Sequence, residues 1–180
     1  MRYTGYKNNN TMKYFHYAYA LAAFVLLGAC QDGEEAQEFT ARELSYPLAS
    51  ASTDYDIQGV ATFRERVNGE LQLTLKLENT IGGGQHPGHL HYGTTDVPDS
   101  EVALLLTPVE GADGTSVTTF SRLADGTSLS FDDLRTFNGS LKVHLDDGPN
   151  KDIVLAGANI GQNSSLAATD IAVCSSSSDQ

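Results

Sequence analysis

Basic side chains, cysteines and long apolar runs are all scarce in this sequence. It has 11 Lys and Arg against 23 Asp and Glu, a formal net charge of −12 at pH 7. Arg2, Lys7 and Lys13 all precede Cys30 and no acid does, so the remainder carries every acid against 8 basic residues. Such a surface repels phosphate backbones and anionic membranes, which excludes nucleic acid as an expected partner. It also opposes electrostatic capture of an anionic substrate unless a local positive patch exists. Only Cys30 and Cys174 carry thiols. Without disulfides, about 150 residues after Cys30 still suffice to bury a core. No apolar run approaches the roughly 20 residues needed to span a bilayer. No extended helical pattern follows Cys30 either.

The longest apolar stretch runs from Ala18 to Ala29, behind Lys13, and has the length of a signal-peptide core. Met12-Lys13 looks like a natural start, which would make Met1 to Thr11 an upstream-start artefact. The stretch ends in Leu27-Gly28-Ala29-Cys30, which resembles the lipobox of bacterial lipoproteins; the bland alternative is a secretory signal that happens to contain a cysteine. The resemblance implies that residues 1–29 are removed and that Cys30 becomes a lipidated N-terminus. Two or three acyl chains, at roughly 0.8 kcal/mol per buried methylene, hold a protein durably on a bilayer. Gln31 stands where an aspartate would resemble an inner-membrane retention signal. The implied location is therefore extracytoplasmic, on the outer membrane, at its periplasmic face or the cell surface. With Cys30 modified, Cys174 has no partner in the chain; beside Ser175 to Ser178 it reads as a tolerated tail residue, with intermolecular pairing the alternative.

Residues 30–42 are acidic and polar and read as a tether. Residues 43–163 read as one β domain, and 164–180 as a Ser-rich tail. Leu71, Leu73, Leu75 and Leu77 alternate with Gln72, Thr74, Lys76 and Glu78, the period of a half-buried strand. Gly59 to Val67 is its expected hairpin partner, joined through Asn68-Gly69 as a two-residue type I′ turn. Further strands are expected at His89–Tyr92, Val102–Thr107, Ser116–Leu123, Ser140–Asp146 and Ile153–Ala158. Turns are expected at Asp125-Gly126 and Asn138-Gly139, and a short helical turn at Phe131–Phe137. Ile171 to Val173 is the only tail segment able to add a strand. Short strands so spaced predict an all-β antiparallel sandwich or barrel.

Four histidines follow Cys30: His86, His89, His91 and His144. On a strand His89 and His91 share one face and Leu90 takes the other. In Ser140 to Asp146, Leu141, Val143 and Leu145 form the apolar face, placing His144 on the wetter one with Lys142 and Asp146. If the two strands are neighbours, three imidazoles converge, and imidazole suits copper and zinc. Donor nitrogens about 3 to 4 Å apart would fit a shared ion with bonds near 2 Å. The bland alternative is that the rings only brace the sheet. Gly82-Gly83-Gly84 is a flexible loop rather than a phosphate cradle, since no Lys or strand-to-helix context follows. The Asp132-Asp133 and Asp146-Asp147 pairs lack the spacing of calcium loops.

His86-Pro-Gly-His-Leu-His-Tyr-Gly93 resembles the copper-binding strand of copper/zinc superoxide dismutases. Leu141-Lys-Val-His-Leu-Asp-Asp-Gly148 resembles their later Val-Val-His strand, and Ala156-Gly-Ala-Asn-Ile-Gly161 their closing glycine-rich strand. The same segments resemble the chordin-type (CHRD) domain, whose terminal Gly-Gln matches Gly161-Gln162. The resemblance covers roughly residues 45–163. It implies a Greek-key β-sandwich, copper ligation by His89, His91 and His144, and supporting roles for His86, Asp146 and Asp147. Departures from the dismutase pattern are substantial. Residues 92–101 supply no zinc-loop histidine, the disulfide cysteines are missing, and no arginine lies within 154–159 to guide an anion. Copper binding with weak copper-only dismutation is therefore one expected function, with zinc a lesser alternative to copper. A metal-free CHRD-type binding or structural module is the second. Display of loops for carbohydrate or protein contact is a third.

Overall fold

The computed structural model describes residues 1–2, 37–168 and 171–172. The chain divides into two units, Met1–Glu34 and Glu35–Gln180. The signal-like segment, Cys30, the acidic stretch after it and Cys174 lie outside the described residues. In the second unit the elements are β1 (Phe39–Ser50), β2 (Gln58–Arg66), β3 (Leu71–Glu78), β4 (Gln85–His86), β5 (Gly88–Tyr92) and β6 (Val102–Leu105). There follow β7 (Val109–Glu110), β8 (Thr115–Phe120), α1 (Phe131–Thr136), β9 (Asn138–His144) and β10 (Val154–Gly161).

The strands form one antiparallel sheet in the order β4-β7-β8-β3-β2-β1-β10-β9-β5-β6, strongly curled into a half-barrel. Alternation in β3 works as its sequence predicts. Leu71, Leu73, Leu75 and Leu77 are buried, together with Ala61 and Phe63 of β2, Leu90 of β5, and Leu141 and Val143 of β9. Each such leucine contributes about 1.5–3 kcal/mol by leaving water.

The two ends of the sheet belong to one long hairpin. Pro87, which has no N–H to give to a ladder, is the only residue between β4 and β5, and three residues separate β6 from β7. The Leu106 N–H donates to the Gly88 carbonyl at 3.0 Å, carrying the pairing through the break. The Thr107 N–H donates to Thr118 Oγ1 at 2.9 Å, tying the crossing to β8.

The β2–β3 turn differs from the expected type I′ form, which needs positive φ at both central residues. Of Asn68 and Gly69 only Gly69 has it, at +84°. The Gly69 N–H donates to the Arg66 carbonyl at 2.9 Å and the Arg66 N–H to the Glu70 carbonyl at 2.8 Å. This is a three-residue loop with a left-handed glycine, stabilised by Asn68 Oδ1 accepting from the Glu70 N–H. Asn138-Gly139, expected as a turn, instead opens β9. A Cβ on Gly139 would lie 2.1 Å from the Phe137 ring and 2.9 Å from the His91 carbonyl oxygen. The glycine is there for close strand approach.

β1 begins at Phe39, inside the segment read as tether. Arg64 and Arg66 sit over the Phe39 ring at 3.8 and 5.5 Å, and Arg66 pairs with Glu38 at 2.7 Å. Charges that resembled a solvated leash are cross-strand partners of β2. The short helix forms at the expected place, with Ser130 and Asp133 closing a capping box and Phe131 and Leu134 turned inward.

One expectation about β9 is overturned. Alternation predicts a wet face for His144, yet Ser140 and Lys142 are 0 % exposed and His144 is 2 % exposed. Leu141 and Val143 do face the core, but loops cover the other side. Lys142 Nζ reaches the carbonyls of Val97 and Ala172, and His144 reaches that of Lys151. Polar loops of this kind leave no periodic signal that would reveal where they fold back. Residues 171 and 172 are not in a strand, although the Ala172 N–H donates to the Thr95 carbonyl at 2.9 Å.

Candidate metal centre

The pairing of β5 with β9 creates the site. Gly88 lies opposite Val143, His89 opposite Lys142 and His91 opposite Ser140. The His144 N–H extends the ladder to the Pro87 carbonyl at 2.8 Å. Alternation puts His89 and His91 on the face away from Leu90, and His144 on the face away from Val143. The two strands therefore turn three imidazoles toward one volume. Ring centroids are 5.6 Å apart for His89–His91 and 5.0 Å for His89–His144.

One donor atom from each of the three rings lies within 4.8 Å of the others. Two nitrogens on one ion are about 3 to 4 Å apart. Drawing the rings onto a common ion needs less than about 1 Å of movement per ring, given bonds near 2 Å.

Hydrogen bonds define the orientation of two of the rings. His91 Nδ1 lies 2.8 Å from the Ser100 carbonyl and His144 Nδ1 lies 2.8 Å from the Lys151 carbonyl. A carbonyl only accepts, so each Nδ1 carries the proton and each Nε2 keeps a lone pair. Both Nε2 atoms are buried without a hydrogen-bond partner among the described residues. A buried acceptor left unpaired costs about 1–3 kcal/mol. Metal ligation both relieves that cost and uses the tautomer that the carbonyls impose.

Electrostatics favours the ligand form. Burial pushes the His91 imidazole down to about 4 and outweighs its carbonyl bond to Ser100; the neighbouring His89 and Lys142 lower it further. Burial likewise lowers His144 to about 4, helped by His89 and opposed by the Lys151 carbonyl. Burial also lowers His89, the half-buried member of the group. Unprotonated rings are what a metal requires.

The supporting candidates fall elsewhere. His86 is buried on β4 with Nδ1 2.8 Å from the Leu145 carbonyl, the residue directly after His144. It is outside the three-ring group. Asp146 Oδ1 accepts from the N–H groups of Gly148 and Asn150, and Oδ2 from the Asn150 side chain. Those bonds, the Asn150 side chain first, hold its carboxyl below the usual range. Asp146 thus shapes the turn that leads to Lys151. Asp147 is exposed and, with His86, Asp146 and the 82–84 glycines, lines a separate surface cleft of about 470 Å³. The carbonyls of Ser100 and Lys151 had no signal in the sequence, since any residue supplies a carbonyl. Scanned against protein-family models and searched against curated proteins, the chain has no match in either.

Proposed function

We propose that this chain is a lipid-anchored, extracytoplasmic β protein that holds one copper ion through His89, His91 and His144. The observation that carries the reading is the pair of carbonyl-anchored rings whose buried Nε2 atoms, with a nitrogen of His89, form one donor group. Three neutral imidazoles suit copper and zinc, and copper has the greater intrinsic affinity. The superoxide dismutase-like or CHRD-type Greek-key sandwich is the fold family in which we place it. Its support is the set of His-x-His, Val-His and glycine-rich segments, which here become β5, β9 and β10. Lipidation at Cys30 and an outer-membrane location rest on the Leu27 to Cys30 motif.

Bound copper would supply one-electron redox chemistry, so weak copper-only superoxide dismutation is the catalytic extension of this reading. The residues favour binding over turnover, because the chain is strongly acidic and no guiding arginine lies within 154–159.

Copper titration of residues 35–180 tests the reading. Saturation at about one equivalent, lost when His89 and His144 are both replaced by alanine, is expected; undiminished binding in the double variant overturns it. The competing reading is a metal-free CHRD-type module whose histidines brace loops. His86 favours it, being a buried ring that bonds a carbonyl and, among the described residues, belongs to no donor group. No metal uptake by the parent protein at all would decide for that module.

A further inference from the structure

We propose that Lys142 is a positioning residue of the metal centre, pinning loop 93–101 and the C-terminal segment together so that the carbonyl orienting His91 stays in place. The inference rests on the three-histidine site described above.

A lysine in the middle of a buried strand is costly, because its ammonium must leave water. Lys142 is 0 % exposed, stands opposite His89 in the ladder and shares the face of β9 that carries His144. Its partners include the Val97 carbonyl at 3.1 Å and the Ala172 carbonyl at 2.9 Å. Val97 belongs to the loop in which, three residues on, Ser100 offers its carbonyl to His91 Nδ1. The same loop is held at Thr95 from two sides. Its N–H donates to Asn159 Oδ1 at 2.8 Å, and its carbonyl accepts from the Ala172 N–H at 2.9 Å.

Ile171 completes the attachment. A Cβ on Gly157 would come within 3.1 Å of Ile171 Cδ1, and Gly157 is the register partner of Lys142 on β10. Gly157, Lys142 and His89 thus form one row across three strands. The segment at 171–172 lies against the first two members of that row. An apolar side chain at 142 would fill the space more cheaply, but it could not bond two carbonyls from separate segments. A carbonyl that orients a ligating imidazole through Nδ1 is a recognised determinant of affinity, and losing such a partner typically costs about 10–100-fold. Lys142 acts one step further out, by holding the loop that holds the carbonyl.

The test compares Lys142→Met, Lys142→Arg and Ala172→Pro in the full chain. Two readouts are taken: the His91 Nδ1–H proton resonance of the metal-free protein, and copper affinity by chelator competition. Lys142→Met is expected to broaden or abolish the His91 resonance, leave that of His144 sharp, and weaken copper binding at least about tenfold. Lys142→Arg, which keeps donors at the same position, is expected to restore both. Ala172→Pro removes the N–H that donates to the Thr95 carbonyl, and its ring also restricts the backbone at 171 and 172. It is expected to act in the same direction, and it serves if Lys142→Met does not fold.

A purely structural lysine would lower the melting temperature while leaving the resonance and the affinity of the folded protein unchanged, and that result overturns the proposal. If the parent takes up no copper, the metal reading falls, yet the His91 resonance still decides whether Lys142 positions the ring.

Discussion

The rings of His89 and His144 lie 5.0 Å apart, inclined at 44°, although the residue directly across the ladder from His89 is Lys142. The contact is therefore diagonal. Diagonal neighbours on one sheet face stand about 7–8 Å apart along the backbone, within reach of ring side chains. An imidazole pair held this way depends first on strand register, since a one-residue slip of β9 would turn His144 into the core.

Acid should act on the site and on the fold together. The folded His91 and His144 are held down to about 4 from an ordinary 6.5. Between those values the unfolded chain binds protons that the folded chain refuses, so stability rises with pH across that window. The metal-free protein is expected to melt at progressively lower temperature as the pH falls from 6.5 toward 4. Below 4 these two groups contribute no further slope. Copper should remain bound through 6.5 and leave near 4. Release centred at 6.5, measured by equilibrium dialysis across the range, would show that the rings are not buried as described.

Leu90→Ala separates the core from the site. Leu90 is fully buried between the two histidines, on the opposite face of β5. Truncating it should cost about 2–5 kcal/mol of stability through lost burial and a cavity, read by denaturant unfolding. Copper stoichiometry in the folded fraction should not change, because the donors point the other way. A folded Leu90→Ala protein that binds no copper would contradict this assignment of faces.

Asp146 is expected to affect metal affinity without touching the metal. Its carboxylate gathers two backbone N–H groups and the Asn150 side chain, shaping the turn before the Lys151 carbonyl. Asp146→Ala should weaken copper binding about tenfold, whereas Asp146→Asn, which retains an acceptor, should lose less. Equal behaviour of the two variants would separate the turn from the site.

How much of this was legible beforehand depended on whether the signal was periodic. β3 announces itself through four alternating leucines, and α1 through the spacing of Phe131, Leu134 and Arg135. Alternation fixes the faces of His89, His91 and His144, whereas the adjacency of β5 and β9 that brings them together comes from the sheet order. β1 was obscured by Pro47 and by charges that resemble a solvated leash. The strand tolerates the proline because there it is paired with β2 alone, β10 joining only at Ala49 and Ser50. The burial of Lys142 and His144 was unreadable for another reason. What covers them is loop 93–101, the turn before Lys151 and residues 171–172, and aperiodic chain gives no hint of where it returns.

Lipidation at Cys30 is tested by metabolic labelling with a fatty-acid analogue. The parent chain should take up label and partition with membranes, and Cys30→Ala should do neither. A Cys30→Ala protein that remains labelled would remove the anchor from the account.

The hairpin that supplies both ends of the sheet has a bearing on self-association. Its outermost strands, β4 and β6, are two and four residues long. At these two margins a neighbouring molecule finds little backbone to add a strand to, one of the ways natural sheets avoid templating fibrils. Any strand-to-strand association would instead fall to β1, which over Phe39–Leu48 is laddered to β2 on one side and meets β10 only at Ala49 and Ser50.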